Sequence, residues 1–162
     1  LAVLLSPYGL KRKVHIAIVL ATLCALQANA QTCTVFGVTD GDTIKVRCGH
    51  NQAAIRLGGI DAPEKNQPFG QRSKHALSDL CYLQEAQIIP KTTDRYGRTI
   101  ADVQCRGKDA GTEQVKAGMA WVYDRYSKGY EPLYRAQNAA RAERTGLWID
   151  PDPEPPWQWR RK

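Results

Sequence analysis

The sequence contains no C-x-x-C pair, and no acidic residue precedes Asp40. The first absence argues against a Cys₄ zinc site, whose ligands usually come in such close pairs. The second leaves the amino terminus basic and then apolar. Long apolar runs are scarce too. Val14 to Leu26 falls short of the roughly 20 residues of a membrane span, so a retained anchor is the weaker of two readings. Position 1 is Leu and the sole methionine is Met119, so the start of translation is not fixed. Neither an internal repeat nor a second domain stands out, and 162 residues suit one domain with a real core.

What is present fills those gaps. Lys11-Arg12-Lys13, the apolar run and Ala28-Asn29-Ala30 have the order of a secretory signal peptide. Residues 1–30 are assigned to it, with cleavage after Ala30. Residues 31–149 then form one domain, and residues 150–162 a Pro/Trp-rich tail. The chain carries a net charge of +7; without Lys11, Arg12 and Lys13 it has 20 basic against 16 acidic side chains. That excess suits a polyanionic partner without demanding one. Cys33, Cys48, Cys81 and Cys105 remain after cleavage, an even set that fits two disulfides in an oxidising compartment.

Asp40 to Glu64, DGDTIKVRCGHNQAAIRLGGIDAPE, is the most informative stretch. Asp40-Gly41 predicts a type I′ turn between strands at Cys33–Thr39 and Asp42–Cys48. Cys33 and Cys48 are symmetric about that turn, which pairs them and leaves Cys81 with Cys105. Gly49 to Gln52 reads as a second turn and Ala53 to Ile60 as a third strand. With Cys48 opposite Ala53, Asp42 falls near Gly59 and so near Asp61. Alternation turns Arg56 away from the face of Ile55 and Leu57. Paired Asp carboxylates offer hard oxygen ligands to Ca²⁺ or Mg²⁺. Arg offers a fork to a phosphate, and Glu can orient or deprotonate a water. Together they describe a site for attack on a phosphodiester.

Further along, Gln71 to Leu83 reads as a helix with Ala76, Leu77, Leu80 and Cys81 inward and His75 solvated. A strand over Gln84 to Pro90 follows, ending at its proline. Lys91 to Arg98, KTTDRYGR, sets Arg95, Tyr96 and Arg98 in a basic, aromatic turn suited to a phosphate with an attached base. Asp109 caps a helix that Gly118 stops. Trp121 to Tyr123 is extended. Glu131 to Arg144 is a helix with Leu133, Ala136 and Ala140 inward and Arg135, Arg141 and Arg144 solvated. The tail's prolines predict an extended chain with Trp157 and Trp159 on the domain surface.

DGDT at 40–43, IRLGGIDAPE at 55–64, DRYGR at 94–98 and the late GLW at 146–148 resemble the staphylococcal nuclease (thermonuclease) family. The likeness runs from Val35 to Trp148. It implies an α+β, mainly β fold: an OB-fold, five-stranded Greek-key barrel with three α-helices. The implied activity is Ca²⁺-dependent endonuclease hydrolysis of DNA and RNA to 3′-phosphate ends. By this resemblance Asp42, Asp61 and the carbonyl of Ala62 hold Ca²⁺, Ala62 standing where the family often has Thr. Glu64 matches the general base, Arg56 and Arg98 the phosphate-binding guanidinium groups, and Arg95 and Tyr96 the nucleotide contacts. Alanine at Arg56 or Arg98 is expected to cost activity and leave folding intact. The loop at 65–71 is shorter than in the type member. A secreted or periplasmic monomer with no stable membrane association after cleavage is expected. The competing class is a non-catalytic OB-fold nucleic-acid-binding module. The joint presence of Asp42, Arg56, Asp61, Glu64 and Arg98 favours the enzyme, since a pure binder has no use for the set.

Overall fold

The computed structural model describes residues 30–162; the predicted signal peptide lies almost wholly outside that range. Strands β1 (Gln31–Val38), β2 (Thr43–Cys48) and β3 (Asn51–Leu57) form an antiparallel meander. A short β4 (Ile60–Asp61) follows, then helix α1 (Gly70–Cys81), β5 (Glu85–Thr93), β6 (Thr99–Cys105) and β7 (Lys108–Asp109). The chain continues through α2 (Ala110–Lys116), β8 (Trp121–Val122), α3 (Pro132–Ala142) and a one-turn α4 (Pro156–Trp159). The main sheet runs β3-β2-β1-β5-β6-β7, and a parallel β3–β6 pairing closes it. Five strands thus make the expected OB barrel. Irregular register at Val35–Gly37 in β1 and at Pro90–Thr92 in β5 supplies the bends that closure requires.

Inward residues at every second position fill the barrel: Val35, Ile44, Val46, Ile55, Leu57, Ile88, Ala101 and Val103. Leu77 of α1, Val115 of α2 and Leu133 of α3 pack against them. A second cluster joins Trp121, Ala140, Leu147 and Trp148, with Phe69 and Trp157 against it. Both predicted disulfides are present, Cys33–Cys48 across β1 and β2 and Cys81–Cys105 between the end of α1 and β6. Asp109 caps α2 by accepting from the Thr112 N–H at 2.7 Å, and Gly118 (φ 62°) ends that segment.

Four local expectations are corrected. Gly41 does not adopt positive φ, so Asp40-Gly41 is not a type I′ turn. The loop is longer: Val38 pairs with Ile44, and the Asp42 N–H donates to Asp40 Oδ1 at 3.0 Å as an Asx turn. Glycine is required there for space, because a Cβ would sit 2.8 Å from that of Ala62 and closer still to Ser73 Oγ. Secondly, the next turn has only two residues, Gly49 and His50, and Cys48 faces Asn51. Thr43 therefore faces Arg56, and the Leu57 N–H donates to the Asp42 carbonyl at 2.8 Å. Thirdly, β5 runs past Pro90 to Thr93, with the proline at the irregularity, where no ladder donor is needed. Finally, the tail does contain a helix. Pro156 stands at its first turn, the place where a missing N–H costs nothing.

Candidate active site

Asp42 and Asp61 meet, though not by the predicted register. Gly58 and Gly59 (φ 72°) reverse the chain after β3, so that β4 carries Asp61 back beside the start of β2. Tyr130 lies so close to both glycines that a Cβ on Gly59 would come 2.7 Å from the Tyr130 Cβ. The tyrosine hydroxyl donates to Asp102 Oδ1 at 2.8 Å, and burial and that bond push its pKa up. The Asp40–Asp42 loop is held from below as well. Gln114 Nε2 donates to the Gly41 carbonyl at 2.7 Å.

Arg56 joins the two acids. Its Nη2 donates to Asp42 Oδ2 at 3.3 Å and to Asp61 Oδ1 at 3.0 Å, while Nη1 donates to the Ile60 carbonyl at 2.9 Å. The side chains of Arg56, Asp42 and Asp61 are only 12%, 8% and 2% exposed. Burial alone would disfavour the charge on Arg56, but Asp42 and then Asp61 outweigh it and raise its pKa. Asp61 is pushed up by burial, against the hydrogen bonds of Arg160. Asp40 is pushed up to about 6 by burial and by the charge of Asp42. Asp42 also accepts from the buried Ala62 N–H at 3.0 Å and from Thr43 Oγ1 at 2.8 Å. Removing Arg56 would leave buried Asp42 with no cationic partner and Asp61 with Arg160 alone. The expectation that its replacement spares folding is therefore revised.

Glu64 follows on the chain leaving β4. Its N–H donates to Gln67 Oε1 at 3.0 Å, and its half-exposed carboxylate accepts from Arg160 Nη1 at 2.6 Å. Arg160 was not anticipated from the sequence. It donates through Nη2 to Asp61 Oδ2 at 2.7 Å and through Nη1 to Asp61 Oδ1 at 3.2 Å. The result is a ladder of alternating charge: Asp42, Arg56, Asp61, Arg160, Glu64. The one available signal was Arg160-Arg161-Lys162 following two tryptophans in a tail otherwise rich in acids.

The hairpin at 94–98 is self-contained. Asp94 accepts from Arg98 Nε at 2.8 Å, and Arg95 Nη2 donates to the Tyr96 hydroxyl at 2.6 Å. Arg95 and Arg98 lie 4.8 and 5.7 Å from the centre of the Tyr96 ring. Arg98 thus pairs with Asp94 and makes no ion pair with the ladder, but Thr99 beside it pairs with Ile55, the neighbour of Arg56. Arg141 is exposed, as read, and its guanidinium also lies 4.3 Å from the centre of the Trp148 ring.

Among the described residues, no group of three or more His, Cys, Asp or Glu stands ready to hold a metal ion. The donor chemistry still fits a hard cation. Oxygens of Asp42 and Asp61 converge on one cationic nitrogen of Arg56, which stands where positive charge is wanted. Carbonyl and water oxygens would have to complete such a set.

A family model for staphylococcal nuclease homologues matches residues 54–150. The chain is 43% identical over 147 residues to an uncharacterized endonuclease of Haemophilus influenzae, covering 90% of this chain and 82% of that one. It is 40% identical over 137 residues to a micrococcal nuclease of Shigella flexneri, covering 78% and 79%. A third relative, protein ParB of Escherichia coli, is 37% identical over 138 residues, covering 79% and 78%.

Proposed function

The chain belongs to the staphylococcal nuclease family, and from that premise we propose that it is a Ca²⁺-dependent endonuclease that cuts DNA and RNA to 3′-phosphate ends. The observation that carries this reading is the convergence of Asp42, Arg56 and Asp61, with Glu64 at the open end. Asp42, Asp61 and the Ala62 carbonyl would hold the cation. When bound, it supplies Lewis acidity and favours an ionised water.

Glu64 is the half-exposed carboxylate of the set, so it can accept a proton from, or orient, a water at the mouth of the site. Arg56 is held in one orientation by four acceptors and offers a fixed positive charge to a phosphate oxygen. Arg98, in the turn just before β6, would supply a second guanidinium. Charges fixed before the reaction stabilise the negative charge that builds on the phosphorus centre, and losing one costs about 10²–10³ in rate. Arg95 and Tyr96 present a cation and an exposed ring to a nucleotide base.

The test is incubation of the oxidised protein with plasmid DNA and with RNA in Ca²⁺, Mg²⁺ or EDTA, beside Glu64→Ala. Cleavage in Ca²⁺ that EDTA abolishes and the variant lacks is the expected result. Products that a polymerase extends without prior phosphatase treatment would carry 3′-hydroxyls and refute the product assignment.

The same proposal places the protein outside the cytoplasm, in the periplasm or secreted, as a monomer. Two disulfides support that placement. Among the described residues no helix is long and apolar enough to cross a membrane. Cell fractionation and light scattering test location and monomer in turn.

A further inference from the structure

The carboxyl-terminal tail is fastened beside the acidic cluster. Pro156 is buried, and Trp157 stacks on Tyr123 with ring centres 5.3 Å apart and planes 11° from parallel. The same indole meets Trp121 edge-on at 5.8 Å. Gln67 Nε2 donates to the Glu154 carbonyl at 2.7 Å, and Lys162 pairs with the Glu154 carboxylate at 2.8 Å. These contacts leave the last turn little choice of direction. They deliver Arg160 to Asp61 and Glu64.

Arg160 makes three contacts with those acids shorter than 3 Å or close to it: 2.7 and 3.2 Å to the two oxygens of Asp61, and 2.6 Å to Glu64. Asp61 Oδ1 also accepts from Arg56. A carboxylate has about four acceptor positions, so three of those of Asp61 are taken. Its side chain is 2% exposed, which leaves no open flank for an additional ligand. A divalent cation that uses Asp61 must take oxygen lone pairs from Arg160 and must also tolerate its charge. Arg56 differs, because it is buried within the barrel wall and anchored by the Leu57 and Ile60 carbonyls. Arg160 sits on a side chain 40% exposed, at the end of a four-residue helix, and is the guanidinium free to yield.

We propose that Arg160 is an intramolecular counter-ion that competes with the divalent cation for Asp61 and so sets the metal affinity of the site. This rests on the reading of Asp42 and Asp61 as cation ligands. Binding of the cation and docking of the Arg160 side chain are then linked, and each weakens the other by the same factor. The tail keeps the acids neutralised when the cation is scarce and gives way when it is abundant.

The test is calorimetric titration of the full, oxidised protein with Ca²⁺, with no nucleic acid present. Arg160→Ala is expected to bind Ca²⁺ about tenfold more tightly than the unaltered protein, within the usual span of site-to-site coupling. Arg161→Ala removes the same charge one residue on but bonds to neither acid, and it should change the affinity less than about twofold, as a screened surface charge does. In the unaltered protein, the arginine side-chain NMR signal that is missing from Arg160→Ala should shift with the same midpoint as the heat. Unchanged or weaker Ca²⁺ binding in Arg160→Ala overturns the proposal, as does equal tightening in Arg161→Ala. Asp61→Asn separates the premise from the inference. If it binds Ca²⁺ like the unaltered protein, the ligand reading itself fails. If it loses Ca²⁺ while Arg160→Ala matches the unaltered protein, only the competition fails.

Discussion

The ladder from Asp42 to Glu64 and the hairpin at 94–98 both present arginines, but they are mounted in opposite ways. Arg56 is buried, bonded on both nitrogens and set in a closed barrel. Arg98 is held only by Asp94 of its own turn, with Tyr96 exposed beside it. One guanidinium has its geometry imposed by the fold, and the other by a local turn. Rigid placement suits stabilisation of developing charge. A loosely tethered cation and ring suit a substrate whose bases vary. The difference teaches that two residues with the same chemistry can owe different debts to folding.

Arg56→Ala should break that comparison hardest. It leaves buried Asp42 with no cation and Asp61 with Arg160 alone, so about 3–5 kcal/mol of stability should go with the activity. Urea denaturation and a nuclease assay on one sample measure both. Arg98→Ala should lose about 10²–10³ in rate. Its stability should stay within about 0.5 kcal/mol, as at an ordinary surface position. Equal destabilisation of the two variants would erase the distinction drawn here. Tyr96→Ala is expected to act more gently still. Loss of one stacked base, about 1–3 kcal/mol, should raise KM with kcat little changed. A fall in kcat alone would move Tyr96 from grip to chemistry.

Tyr130 sharpens the rigid side of the comparison, because it braces the Gly58-Gly59 reversal that places Asp61. Its pKa in the folded protein is raised, by burial and by the bond to Asp102, above an unfolded value of 10.0. The unfolded chain therefore loses that proton first. The stability it contributes is present below pH 10 and falls as pH rises beyond it. Melting temperature measured from pH 8 to 11 should drop more in the unaltered protein than in Tyr130→Phe. Parallel curves would show that the hydroxyl does not couple to folding.

Much of this was legible in the residues. Val, Ile and Thr alternation disclosed the meander, and cysteine symmetry about one turn disclosed the disulfides. The meeting of Asp42 with Asp61 was foreseen through a wrong register. That succeeded because the reversal at Gly58-Gly59 compensates for a turn two residues shorter than predicted. Gly41 misled because glycine serves two ends, positive φ and lack of bulk, and sequence alone does not say which. The bracing roles of Gln114 and Tyr130 were invisible, since each depends on a partner far along the chain. Arg160 was missed for the same reason. Its 99-residue separation from Asp61 is bridged by an aromatic stack that no local pattern reveals.

The parallel join between β3 and β6 has a consequence for timing. Ile55, Arg56 and Leu57 pair with Thr99, Ile100 and Ala101, across a long stretch of intervening chain. Closing a loop of that size loses entropy before any contact repays it, so such pairings form late and slow folding down. Arg56 lies within this seam and Arg98 immediately before it. On the roles proposed above, the two arginines face one phosphate only in a chain that has already closed its barrel. On those roles a nascent or half-folded copy would lack the assembled site.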